Sequence, residues 1–132
     1  RDVPELARMC RGIAANLRPG GRFVSINENP DQPAERYAGY LRYGFSKSVE
    51  LPRREGSAIT YMMIAGRELF HFEAYHFDRT TYERELAGAG LVDIRWYQMR
   101  LDPEGPRVMG ADYWREYMAN PPVVGLYCRR AG

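Results

Sequence analysis

The chain has 132 residues and a formal net charge of +2, set by 19 basic and 17 acidic side chains. That length suits one domain that buries a core without staples. Its ordinary apolar and charged fractions exclude a disordered chain, and its scattered arginines with so small a net charge argue against a nucleic-acid partner.

Two cysteines far apart, Cys10 and Cys128, make neither a disulfide framework nor a zinc site. They read as reduced, buried thiols. No apolar run approaches the ~18–20 residues a bilayer span needs, and no signal peptide is visible, so no membrane partner and a cytoplasmic location are expected. A start at Arg1 rather than methionine fits a fragment or a processed product. Ten tyrosines, five phenylalanines and two tryptophans suit either a pocket for a flat organic ligand or an aromatic core.

Residues Arg1 to Leu17 predict an amphipathic helix. Leu6, Met9, Cys10, Ile13 and Leu17 recur at helical spacing, Asp2 and Glu5 form a capping box, and Pro4 sits in the first turn. Pro19-Gly20-Gly21 should stop it through a left-handed glycine cap. Arg22 to Glu28 then predicts a strand whose Phe23, Val24 and Ile26 suit cover by helices. A turn cluster at Asn29–Pro33 follows, then a strand toward Phe45 suggested by alternation at Leu41, Tyr43 and Phe45. Ser57–Ala65 and Glu68–Phe77 flank Gly66-Arg67 as a hairpin, giving an antiparallel meander in the middle third.

Thr80 and Glu83 suggest a second capping box before Tyr82, Leu86 and Ala89, with Gly90 ending that helix. Leu91 to Leu101 reads as a strand, Asp102–Pro106 as a loop and Asp112–Ala119 as a short helix. Val123–Cys128 reads as a last strand after Pro121-Pro122.

The helix running into Leu17-Arg18-Pro19-Gly20-Gly21-Arg22-Phe23-Val24 resembles the "L-[K/R]-P-G-G" segment of class I S-adenosylmethionine-dependent methyltransferases, which leads into strand five of a seven-stranded sheet. Tyr82 to Leu91, ending Ala87-Gly88-Ala89-Gly90-Leu91, is similar to the helix end before strand six. Pro121 to Cys128 would be strand seven, antiparallel to the rest. Asn27-Glu28-Asn29-Pro30, Tyr43-Gly44-Phe45 and Pro121-Pro122 are similar to details of small-molecule methyltransferases of the toxoflavin methyltransferase type, which implies secondary metabolism.

The resemblance implies an α/β fold, the C-terminal part of a Rossmann-like methyltransferase sheet with an antiparallel insertion. Residues 1–28 would be a helix and strand five, 34–78 a substrate-side insertion, and 79–132 strands six and seven with their helices. The family's D-x-G-x-G-x-G turn and the acidic residue ending strand two are absent, and Gly20-Gly21 follows a helix instead of opening one. The cofactor S-adenosylmethionine would therefore be held mainly by a missing N-terminal half, with which this chain would pair, or it would self-associate.

Methyl transfer to N or O of a small aromatic metabolite needs a held acceptor and, for some acceptors, a base. Asn27 and Glu28 lie where ligands meet such sheets, beyond the carboxyl end of the strand. They would orient the acceptor or take its proton, or else merely cap the strand exit. His76 would be a second base or a loop histidine; His71 beside Glu73 reads as a solvent-face pair. Tyr40, Tyr43, Phe45 and Tyr75, with Tyr37, would line an aromatic pocket or pack the meander. Trp114 would close that pocket or seal the sheet edge. No metal site is expected from two histidines. The alternatives are a free-standing α+β ligand-binding module and a subunit that completes a partner's sheet.

Overall fold

A computed structural model describes residues Arg1–Gly132. The elements run α1 (Val3–Asn16), β1 (Arg22–Glu28), β2 (Phe45–Val49), β3 (Ala58–Ala65), β4 (Glu68–Tyr75), α2 (Arg79–Gly88), β5 (Leu91–Gln98), α3 (Glu104–Met109), α4 (Arg115–Ala119) and β6 (Val123–Arg130). They build two three-stranded sheets, β1-β6-β5 and β2-β3-β4, in which every neighbouring pair is antiparallel. The last strand lies between β1 and β5, which therefore run parallel to one another without touching.

Helix α1 forms as its pattern requires. The Glu5 N–H donates to Asp2 Oδ1 at 2.8 Å, and Leu6, Cys10 and Ala14 are buried. Met9 departs from the expected stripe and is 51% exposed. The glycines do not cap this helix. It stops at Leu17, whose backbone is extended, and Leu17 O accepts from the Arg130 guanidinium. Gly20 takes a left-handed φ of 72° further on, and a Cβ on Gly21 would meet Arg18 O at 2.8 Å. Gly20 N–H donates to Arg130 O, and Gly21 O accepts from Arg130 N–H. The pair is thus a corner that feeds the chain into register with β6.

Helices α1 and α2 pack on one face of the β1-β6-β5 sheet around Leu6, Cys10, Leu86, Leu91, Leu126 and Cys128. Phe23 packs there too, but the expected cover is one-sided: Val24 and Ile26 point the other way and are 71% and 69% exposed. Both cysteines are free and buried, and burial pushes the Cys10 thiol up to about 11, so it stays protonated at neutral pH.

Several local expectations give way to tertiary context. Leu41–Tyr43 is a 3₁₀ turn ended by a left-handed Gly44, so the strand begins only at Phe45. The second capping box does not form. Asp78 is the N-cap, and Glu83 instead accepts from Trp96 Nε1–H at 2.9 Å, a bond to the neighbouring strand. Strand β5 ends at Gln98 and carries an irregularity at Asp93, whose φ is 52°. The loop at Asp102–Pro106 contains the start of α3, and Asp112–Ala119 splits into a 3₁₀ turn and α4. The hairpin around Gly66-Arg67 forms as expected.

Leu86→Ala should cost about 2–5 kcal/mol in denaturant unfolding, because its side chain fills the helix–sheet seam. Leu41→Ser, at an exposed position, should stay within about 0.5 kcal/mol.

Candidate functional site

Strand β1 delivers Glu28 to its carboxyl end, and the second sheet closes over it. Lys47, between Phe45 and Val49 on the inward face of β2, places Nζ 2.7 and 2.9 Å from the two Glu28 carboxylate oxygens. Its side chain is wholly buried and that of Glu28 nearly so. Tyr37 donates to Glu28 Oε1 at 3.2 Å and Tyr61 donates to Oε2. Lys47 also donates to Gln32 Oε1 and to Pro122 O, and lies 4.3 Å from the Tyr37 ring centroid. Arg53 donates to Tyr37 Oη at 2.9 Å and to Gln32 O at 2.6 Å.

Charge and burial oppose one another here. Burial pulls the Lys47 ammonium below its ordinary range while Glu28 raises it. Burial and the Glu28 charge push the Tyr37 phenol up to about 12 and the Tyr61 phenol higher still. Both tyrosines therefore act as neutral donors. Three donors, Lys47, Tyr37 and Tyr61, thus make four hydrogen bonds to the two Glu28 oxygens.

The turn Asn29–Pro33 fastens this network to the entrance of β6. Asn29 Nδ2 donates to Pro121 O at 2.7 Å, Gln32 Nε2 to Asn120 O at 3.2 Å, and Tyr40 Oη to Asn120 O at 2.5 Å.

Asn27 points to the helix-covered face and accepts from Ser25 Oγ at 2.6 Å. It lines a cleft of about 200 Å³ with Met9, Ile13, Phe23, Ser25 and Tyr82 among others. A neighbouring cleft of about 400 Å³ is lined by Tyr75, Phe77, Leu6 and Glu5 and shares Met9 and Tyr82 with it. His76 lies between Tyr75 and Phe77. It is 2% exposed, pairs through Nε2 with Asp78 Oδ1 at 3.0 Å, and leaves Nδ1 without a partner. That hydrogen bond holds the Asp78 carboxyl below its usual range.

The structure brings Tyr40, Tyr43, Phe45 and Trp114 together, but against one another. Tyr40 stacks on Phe45 at 5.5 Å and Tyr43 on Trp114 at 5.6 Å, with Tyr113 and Tyr117 packed edge-on to Tyr43. Tyr75 stands apart in the larger cleft, and its hydroxyl donates to Glu73 at 3.1 Å. Sequence reasoning missed Lys47, Tyr61, Gln32 and Arg53. One signal was available: a lysine at an inward position between Phe45 and Val49 has to be paired.

Lys47→Met should destabilise by about 3–5 kcal/mol, because it leaves Glu28 buried and unpaired. Adding Glu28→Gln should recover part of that loss in a double-mutant cycle. Tyr37 gives a pH dependence with a fixed sign. Its folded value lies above the unfolded ~10, so its contribution is complete below pH ~10 and is lost as pH rises toward 12. Denaturant titrations at rising pH should show it, and Tyr37→Phe should shift the onset.

No protein-family model matches the chain, and no curated protein does. Solved structures do. A putative S-adenosylmethionine-dependent methyltransferase from Listeria monocytogenes matches at 18% identity and TM-score 0.59, over 96% of this chain and 55% of that one. An S-adenosylmethionine-dependent methyltransferase from Mesorhizobium loti matches at 18% and 0.54, over 96% and 55%. Another from Clostridium acetobutylicum matches at 10% and 0.51, over 99% and 53%. The chain spans about half the length of the structures it matches. It has the α/β fold of S-adenosylmethionine-dependent methyltransferases, over a portion consistent with their C-terminal part.

Proposed function

We propose that this chain is the C-terminal half of a class I methyltransferase that transfers the methyl group of S-adenosylmethionine to N or O of a small aromatic metabolite. The observation that carries this reading is the free edge of β1. Gly21 O and Asn29 N–H face β6, so by alternation the backbone groups of Arg22, Val24, Ile26 and Glu28 face outward with no strand beside them. With Val24 and Ile26 bare, that edge fits the seam to a further strand and its cover.

The residues of this chain do not make a sulfonium cradle. Gly20 and Gly21 sit at the amino end of β1 and are used by Arg130 and by the close approach of Arg18. The cofactor, which supplies an electrophilic methyl group, falls to residues outside 1–132. What this half contributes is the acceptor side. The two adjacent clefts, which share Met9 and Tyr82, are mostly apolar, with Asn27 in one and Arg1 and Glu5 at the rim of the other, suited to a flat ring with polar substituents. The aromatic cluster of Tyr40, Tyr43, Phe45 and Trp114 stiffens the insertion beside it. Of the two candidate bases, His76 fits better: Asp78 pairs with its Nε2, and Nδ1 is unpartnered, buried between Tyr75 and Phe77 of the cleft wall, so an acceptor reaches it once those side chains part. Glu28, saturated by Lys47, Tyr37 and Tyr61, fixes the insertion in place.

Calorimetry should detect S-adenosylmethionine binding to the full-length protein and none to residues 1–132 alone; tight binding by this chain by itself would overturn the division of labour. In the full-length enzyme His76→Gln should lower kcat by ~10²-fold or more, with circular dichroism unchanged. An unaltered kcat would remove His76 as the base.

A further inference from the structure

Strand β4 is another of the unpaired sheet edges. It is the outer strand of the β2-β3-β4 sheet, eight residues long, with no proline or lysine. Leu69, Phe70 and Phe72 are 61%, 47% and 45% exposed. The direction of its backbone groups follows from two bonds. Ile64 N–H donates to Gly44 O on the β2 side, so Ile59, Tyr61 and Met63 face β4. His76 N–H donates to Ser57 O, in the same phase. Phe70, Phe72 and Ala74 are therefore bonded to β3, and the N–H and C=O groups of Leu69, His71 and Glu73 point to the free edge.

We propose that this edge pairs with the same strand of a second copy of the chain, giving a continuous six-stranded sheet across a two-fold axis at Phe72. An antiparallel self-pairing must set outward-bonding residues opposite one another, which limits the register. Centred on Phe72, it places His71 opposite Glu73 of the second copy, twice by symmetry. An imidazole N–H donates to a carboxylate in either protonation state. On the inward face it sets Phe72 beside its own copy and Phe70 opposite Ala74, covering the half-exposed rings. Phe72 already stacks on Tyr61 at 4.8 Å and 8°, so the aromatic row would continue across the axis. The next permitted register, centred on His71, opposes Leu69 to Glu73 and loses both polar pairs. Symmetry closes this contact at two copies. The contact is independent of the methyl-transfer reading.

Sedimentation equilibrium on the purified full-length protein should show a reversible dimer. Amide exchange at Leu69, His71 and Glu73 should slow on dimerisation, while Phe70 and Phe72, already bonded to β3, change little. Glu73→Lys should weaken the dimer by about tenfold, because it removes, twice, the carboxylate that accepts from His71. His71→Glu should do likewise through paired carboxylates, and the double variant H71E/E73K should restore the original association. A monomer at every concentration, a dimer indifferent to both single variants, or an edge whose amides are protected in the monomer by residues outside 1–132 would overturn the proposal.

Discussion

The ion pair between Lys47 and Glu28 holds the two halves of this molecule to each other. One partner ends β1 of the helix-covered sheet, and the other sits in the middle of β2 in the second sheet. Neither charge is tolerable alone where it lies. Together, with Tyr37, Tyr61, Gln32 and Pro122 O completing the coordination, they are satisfied. Such a pair contributes less to net stability than to uniqueness of docking. An apolar contact at that point would permit sliding, whereas four directional bonds permit one placement.

That placement decides what the end of β1 does. A carboxylate at the rim of an α/β sheet reads, from its position, as chemistry. Surrounded by donors, Glu28 ties the insertion to the end of β1, while His76 Nδ1 lies buried without a partner. The aromatic side chains divide in the same way. Tyr40, Tyr43, Phe45 and Trp114 fill each other's space between the insertion and the α3–α4 segment, while Tyr75 and Tyr82 border open clefts.

Of the four sheet edges, those of β1 and β4 differ in character. The β1 edge carries bare Val24 and Ile26, apolar side chains suited to a covered interior. The β4 edge alternates aromatic with polar residues in an order that is complementary to itself on reversal. A continuous fold would bury the first, and a symmetric contact suits the second.

The sequence by itself determined the elements whose signals are local: α1 with its Asp2 cap, the hairpin at Gly66-Arg67, the Arg22–Glu28 strand, and the helix that ends at Gly90. The motif at Leu17–Gly21 also carried the fold resemblance, because a corner that tight needs glycine wherever its hydrogen bonds go. Only the tertiary structure decided those bonds. Arg130 takes the carbonyl of Leu17 and both glycine backbones, and lies at the far end of the chain. Long-range partners likewise took Glu83 from its capping box to Trp96 and turned Leu41–Tyr43 from strand into a 3₁₀ turn under Trp114 and Tyr117. They also surrounded the Glu28 carboxylate with Lys47, Tyr37 and Tyr61. Propensity and periodicity record what a residue prefers among its neighbours in the chain, and a buried charge is settled by whichever counter-charge the fold brings to it.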